Sequence, residues 1–306
     1  MAAIFADYHL HSSFSADSDA PAEEQVRAAI KAGLTAACFT EHVDLDSPFL
    51  NAPDDDRLAF YIDEEKYLQA ASALKEKYKD RIRLSFGVEM GLNHTMTEEV
   101  IRYLQEHPQF DYVIGSTHSS RGMDPYYDSF FEPYSGSSHL NANERCDFDP
   151  YRIYFDDALK NLESLFQYKK EHGISERLID SYAHLDYVLR CGPARADGSS
   201  PERTAAYYYE KYKDIIDEML RLLIREEVCL EVNTSPLKKG FPETNPGKAV
   251  LLRYKELGGE LITIGSDAHA PEGIAFGFDQ ARDLLLACGF KYYAVFAGRV
   301  REMHRL

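Results

Sequence analysis

The 306-residue sequence has no tryptophan, no CxxC pair and no uninterrupted apolar run of membrane-spanning length. A helix needs about 18 or more consecutive apolar residues to cross a bilayer, so no membrane span is expected. The N-terminus lacks a basic segment followed by an apolar run, so no signal peptide is expected either. The five cysteines, Cys38, Cys146, Cys191, Cys229 and Cys288, are scattered. Cys38, Cys229 and Cys288 sit among apolar residues and read as small core residues, which argues for a reducing, cytoplasmic setting. Basic residues are scarce, 34 against 51 acidic ones, for a net charge of -17. Binding to nucleic acid phosphates needs Lys and Arg, so no nucleic-acid partner is expected. The acidic excess otherwise serves solubility, and a local basic pocket is still free to take one small phosphate. Low-complexity tracts, fixed-period repeats and linker-like breaks are absent too, which leaves a single domain over 1–306.

Within that frame, short apolar runs alternate with amphipathic segments. Strand-like runs cover 4–9, 36–42, 83–89, 112–118, 179–184, 228–233, 261–267 and 292–296, rich in β-branched and aromatic residues. Helical periodicity covers 22–31, 64–78, 97–105, 151–171, 203–225, 247–257 and 280–287. Pro21 and Pro150 stand at helix starts, and Gly33 and Gly173 at helix ends. Strand–helix alternation implies parallel strands joined by right-handed crossovers. Seven or eight such units favour a closed or nearly closed (β/α) barrel over the rival doubly wound open sheet. Residues 119–149 form a long aperiodic insertion rich in Gly, Ser, Asn, Asp, Tyr and Phe, of the kind that builds a lid or rim.

The chemistry gathers at the ends of the strands. Successive runs finish in His9-Leu10-His11, Glu41-His42, Glu89, His118, His184 and Asp267-Ala268-His269. At i and i+2 on an extended strand two side chains point the same way, so His9 and His11 share a side, as do Asp267 and His269. A barrel places its active site at the C-terminal ends of its strands. One histidine at a strand end is commonly a structural residue, but six strand ends carrying metal-ligand types on one rim are not explained by scattered structural roles. Asp17, in the loop after His11, is close enough to fold over the rim. Nine candidate ligands exceed what one ion takes, so two or three divalent transition ions are expected. Mixed nitrogen and oxygen donors without thiolate suit Zn, Fe or Mn. The remaining histidines, His94, His107, His139, His172 and His304, read as structural or solvated.

These blocks resemble the PHP (polymerase and histidinol phosphatase) superfamily, and within it the histidinol-phosphatase branch. The resemblance is carried by DYHLHSSFSAD at 7–17, FTEHVD at 39–44, FGVEMG at 86–91, VIGSTHSS at 113–120, YAHLDYVLR at 182–190, LEVNTSPLKKG at 230–240 and TIGSDAHAP at 263–271. It implies a distorted (β/α)7 barrel and a trinuclear centre. One ion would take His9, His11, Glu89 and Asp267; a second would share Glu89 and take His118 and His184; a third would take Asp17, His42 and His269. It implies hydrolysis of a small phosphate monoester, foremost L-histidinol phosphate, by a hydroxide bridging two ions, with Glu89 and Asp267 central to catalysis. Arg190, Lys238, Asn233 and Ser235 are candidates for substrate binding, and Asp186 for protonating the leaving group. The branch pattern at 233–238 is Asn-Thr-Ser-Gly-Leu-Arg, whereas this sequence has Pro236 and Lys238. Lys lacks the bidentate fork of Arg, so substrate geometry is open to change there. Another small phosphate such as a nucleotide, amidohydrolase chemistry and a non-catalytic metal-binding module are the competing readings. The expected assembly is a monomer or small homo-oligomer acting on a small molecule.

Overall fold

The computed structural model describes residues 4–47, 60–132, 148–193 and 195–306. Seven parallel strands run in sequence order around one sheet: β1 (Ala6–Leu10), β2 (Ala36–Val43), β3 (Arg83–Gly91), β4 (Val113–Ser116), β5 (Ser181–Tyr182), β6 (Cys229–Asn233) and β7 (Ile262–Gly265). Nearly every strand residue is buried, because helices cover the outer face and neighbouring strands fill the inner one. β1 meets β7 just past the strand ends. There the Asp267 N–H donates to the His9 carbonyl at 2.8 Å and the His11 N–H to that of Ala268 at 3.0 Å. The barrel is thus nearly closed, and its closure point is built from candidate site residues.

The helices are α1 (Ala22–Lys31), α2 (Glu64–Tyr78), α3 (Thr97–Glu106), α4 (Pro150–Glu171), α5 (Ala205–Lys211), α6 (Lys213–Arg225), the single turn α7 (Ser235–Lys238), α8 (Lys248–Glu256) and α9 (Phe278–Ala287). Side chains cap several of them: Asp63 accepts from the Lys66 N–H at 3.1 Å and Asp149 from that of Arg152 at 3.2 Å. The continuous helix expected over 203–225 is two helices broken at Tyr212. The Tyr212 hydroxyl donates to Asp149 at 2.8 Å and its ring packs on Phe155, which holds its backbone outside the helical region.

The eighth strand-like run is not a barrel strand. It is β8 (Tyr292–Ala297), which pairs antiparallel with β9 (Val300–Arg305), an element the periodicity did not reveal. This hairpin lies across the N-terminal ends of the barrel strands. Arg299 at its turn donates its main-chain N–H to Asp111 O at 2.8 Å, and its guanidinium meets Asp180, which Arg177 also holds at 2.8 Å. The Tyr8 hydroxyl reaches Phe296 O, and Tyr112 packs against both rings. One end of the barrel is therefore plugged, and the other carries the histidines.

Candidate metal centre

Two local devices aim the rim side chains. Between the pairs Asp7–Ala37 and Leu10–Phe39, three residue steps in β1 span two in β2, a bulge that re-aims the segment bearing His9. His184 and Asp267 both have positive φ, 24° and 54°, which turns each chain sharply as it leaves its strand. Gly265 makes the crowding possible: a Cβ there would lie 2.3 Å from His9 Cβ and 2.7 Å from Glu231 Oε1.

Glu89, fully buried, is the centre of the constellation. Its Oε1 lies 3.0 Å from His118 Nε2 and 2.9 Å from His184 Nε2. Its Oε2 lies 3.0 Å from His9 Nε2, 3.4 Å from His11 Nε2 and 3.2 Å from His42 Nδ1. Each carboxylate oxygen thus faces its own set of imidazoles. Asp267 Oδ1 stands 3.4 Å from His11 Nε2, 3.7 Å from His9 Nε2 and 3.6 Å from His269 Nδ1. Asp17 Oδ2 joins His269 at 3.0 Å and His42 at 3.5 Å. All nine candidate ligands therefore converge on one rim.

The spacings fit metal ions. Separations of 3.4–3.7 Å around His11 and Asp267 exceed a good hydrogen bond. They approach the roughly 3.3 Å expected between ligands of a tetrahedral ion with bonds of about 2 Å. Among the described residues, His11 Nε2, His42 Nδ1 and His184 Nδ1 are buried without a hydrogen-bond partner. Leaving such a group unsatisfied costs about 1–3 kcal/mol, and a cation accepting its lone pair removes that penalty. Groups of three donors with ligand atoms within 4.8 Å of one another include His9, His11 and Glu89; Glu89, His118 and His184; His9, His184 and Asp267; and His11, His42 and His269.

The charges are strongly coupled. Burial alone would raise Glu89, yet the facing histidines hold it well below the usual carboxylate range, and Asp267 behaves likewise. Burial would lower His42, but Glu89 and Asp17 outweigh it and push it up to about 9. Burial and the neighbouring rings of His269 and His42 push His11 down to about 3. Outside the ligand set, burial pushes Asp186 up to about 6.

A family model for the PHP domain matches residues 7–235. The chain belongs to the PHP-domain family. The histidinol-phosphatase of Lactococcus lactis is 30% identical over 293 residues, covering 95% of this PHP protein and 94% of the relative. A probable histidinol-phosphatase of Clostridium acetobutylicum is 31% identical over 285 residues, covering 93% and 94%. The crystal structure of the L. lactis histidinol phosphate phosphatase, complexed with zinc, L-histidinol and phosphate, superposes with a TM-score of 0.73 at 28% identity and covers 97% of this chain and 98% of that one. A crystal structure from Listeria monocytogenes, at 18% identity and TM-score 0.68, supports the fold.

The remaining candidates in this PHP protein lie along one side of the rim. Arg190 is held by Asn245 through Nε and lies 3.4 Å from Asp267 Oδ2, while its buried Nη2 has no partner among the described residues. Asp186 accepts from Asn245 Nδ2 at 2.7 Å through one oxygen, and its other oxygen is buried and unpartnered among the same residues. Asn233 spends its amide on Asp267 Oδ2 at 3.2 Å and Glu231 Oε2 at 3.1 Å, and its oxygen accepts the Ser235 N–H at 3.1 Å. Ser235 opens α7, and Lys238, exposed at the end of that turn, places its ammonium against Gly273. Of the other histidines, His94 is held by Asn161, and His107 and His172 each bond the carbonyl one turn back. His139, Cys146 and residues 133–147 of the insertion lie outside the described residues.

Sequence reasoning missed the groups behind the ligands. Glu231 Oε1 bonds His9 Nδ1 at 2.6 Å, and both Asp44 oxygens lie 3.0 Å from His118 Nδ1. Both carry a readable signal: Glu231 is two residues before Asn233 on the same strand, and Asp44 follows His42 by two. Such partners fix ring orientation and tautomer. No helix among the described residues is long and apolar enough to cross a membrane.

Proposed function

We propose that this protein is a metal-dependent phosphoric monoester hydrolase that converts L-histidinol phosphate to L-histidinol and phosphate. The observation that carries the reading is Glu89, whose two oxygens each face a separate set of imidazoles, with the Arg190 guanidinium beside Asp267 at the same rim keeping one donor unpartnered among the described residues. The likeness to histidinol-phosphatases over nearly the whole chain supports the substrate. His9, His11, Glu89 and Asp267 would hold one divalent ion, Glu89, His118 and His184 a second, and Asp17, His42 and His269 a third, of Zn, Fe or Mn type. Such ions supply Lewis acidity for the phosphoryl oxygens and a water ionised near neutral pH.

The chain's own residues supply the rest. Arg190, fixed by Asn245 and Asp267, offers Nη2 to a phosphate oxygen. Lys238 adds a cation at the rim, and Asn233 with Ser235 holds Asp267 and the start of α7 in place. Burial pushes Asp186 up to about 6, which keeps a minor protonated fraction available at neutrality, and its Oδ2 has no partner among the described residues. Asp186 is the donor to the leaving alkoxide, whose own pKa is too high for departure without a proton. The described cysteines are all unpaired thiols, in keeping with a reducing cytoplasm.

The test is phosphate release from a panel of L-histidinol phosphate, nucleoside monophosphates and simple alkyl phosphates with Zn, Mn or Fe added. Preference for histidinol phosphate by at least tenfold in kcat/KM is expected. A nucleotide preference would instead point to the substitution of Lys238 for arginine as a specificity change, and no turnover of any ester would remove the reading.

A further inference from the structure

The loop after β1 holds a serine hydroxyl that touches three groups. Ser15 Oγ lies 2.6 Å from Glu41 Oε2, 3.1 Å from the main-chain nitrogen of His42 and 3.1 Å from His11 Nδ1. A serine hydroxyl has one proton to give and two lone pairs to fill. The His42 N–H can only donate, so it takes one lone pair. Glu41 Oε2 is an acceptor: burial pushes the carboxyl up to about 7, but the donor-only Ser12 N–H at 3.0 Å already claims Oε2, so any carboxyl proton sits on Oε1 against the Ser12 hydroxyl at 2.6 Å. The Ser15 proton therefore goes to Glu41. One lone pair is left, and it faces His11 Nδ1, so that nitrogen must carry the imidazole proton. Glu41, Ser12, Ser15 and His11 are all buried, which leaves bulk water no part in the count.

The consequence lies at the other side of the ring. His11 Nε2 points between Glu89 and Asp267, 3.4 Å from each. With the proton on Nδ1, Nε2 presents a lone pair there. A proton on Nε2 would remove the donor a metal needs. His9 and His118 meet a carboxylate directly at Nδ1. His11 meets one only through Ser15.

We propose that Glu41 is a positioning residue: acting through Ser15, it holds His11 in the tautomer that offers Nε2 to the metal centre. This rests on the reading of His11 as a ligand. It also separates two serines that bond the same carboxylate, since the Ser15 hydroxyl meets the His11 ring at Nδ1 whereas the Ser12 hydroxyl donates to Glu41 Oε1 and makes no hydrogen bond to that ring among the described residues.

The experiment uses the full-length zinc-loaded protein. Zinc affinity is measured by competition with a chromophoric chelator, and ring nitrogens are read by ¹⁵N-histidine NMR. Ser15→Ala and Glu41→Leu should weaken zinc binding by about 10–100-fold, the range for lost outer partners of metal ligands. Ser12→Ala should stay close to the parent. So should Glu41→Gln, whose amide oxygen can still accept from Ser15 while its NH₂ turns to Ser12. In the parent, His11 should show a protonated Nδ1. Parent-like affinity in Ser15→Ala, or an equal loss in Ser12→Ala, would overturn the relay. If Glu41→Leu does not fold, the two serine variants decide alone. His11→Ala distinguishes the two claims: full zinc affinity there removes the ligand reading and the relay with it, whereas loss there combined with none in Ser15→Ala removes only the relay.

Discussion

At the scale of single residues, the design turns on which nitrogen or oxygen is free. Glu89 offers one oxygen to each of two imidazole sets, and glutamine cannot do so because its NH₂ presents protons to one of them. Glu89→Gln should lose bound metal and at least a thousandfold in kcat/KM together while the circular dichroism spectrum is unchanged. A fully active Glu89→Gln protein would sink the model. Asp186 calls for a different readout. Asp186→Asn should lower kcat about 100-fold or more on alkyl phosphates, which need a proton on the leaving oxygen. On p-nitrophenyl phosphate, whose leaving group departs as the anion, the loss should be small. Equal losses on both would assign Asp186 to holding Asn245 and Arg190 instead. The histidines set the pH sign. His42 is pushed up to about 9, and His9 and His118 are held above the ordinary value, where the carboxylates outweigh burial. These rings must lose protons to bind metal, so zinc affinity should fall as pH drops from 9 to 6, about tenfold per unit for each proton displaced. Chelator competition across that range reads it directly, and a flat profile would contradict it.

At the scale of elements, the strand ends were legible because each is a short apolar run closed by His, Asp or Glu, and the two-residue repeat of a strand fixes which neighbours share a side. What lies behind those ligands was less legible. Glu231 and Asp44 act through pairings across 222 and 74 residues; their two-residue spacing from Asn233 and His42 marks the side they share but not the histidine each one meets. The break at Tyr212 was hidden because an apolar 3.6-residue stripe runs through it unbroken. The β8–β9 hairpin was hidden because β9 is largely exposed and charged. Its function is mechanical, which gives a clean contrast between the barrel's two ends. Asp180 is buried between Arg177 and Arg299. Asp180→Asn leaves two guanidiniums without their counter-charge and should cost about 3 kcal/mol in urea unfolding, with kcat/KM close to the parent's below the transition. Gly265→Ala belongs to the opposite end. Its Cβ would push on His9 Cβ and Glu231 Oε1. It should lose about 1–3 kcal/mol of stability and weaken zinc binding in the same variant, because the strain falls on a ligand.

At the scale of the whole molecule, the metal centre is also the barrel's seam. β1 and β7 join through main-chain bonds at His9, His11, Asp267 and Ala268, and three of the candidate ligands, His9, His11 and Asp267, lie within that junction. Ligands drawn from β1, β2, β3, β4, β5, β7 and the loop after β1 come together only when the barrel is closed, so the unfolded chain has no comparable site. A ligand that binds only the folded state stabilises it by about 4 kcal/mol at a free concentration a thousandfold above its Kd. Metal removal should therefore do more than stop turnover. Dialysis against a chelator should lower the melting temperature by several degrees, and adding zinc or manganese back should restore melting temperature and activity in parallel. The same treatment of Glu89→Gln should shift its melting far less, since its site has already lost the shared ligand. Hydrogen exchange would locate the effect: on metal removal, amides of Asp267 and His11, which form the β1–β7 seam, should lose protection while those of Val113 and Cys229, bonded near the plugged end, keep theirs. Uniform loss across the barrel would mean that the metals stabilise the fold as a whole and that the seam is no weaker than the rest of the sheet.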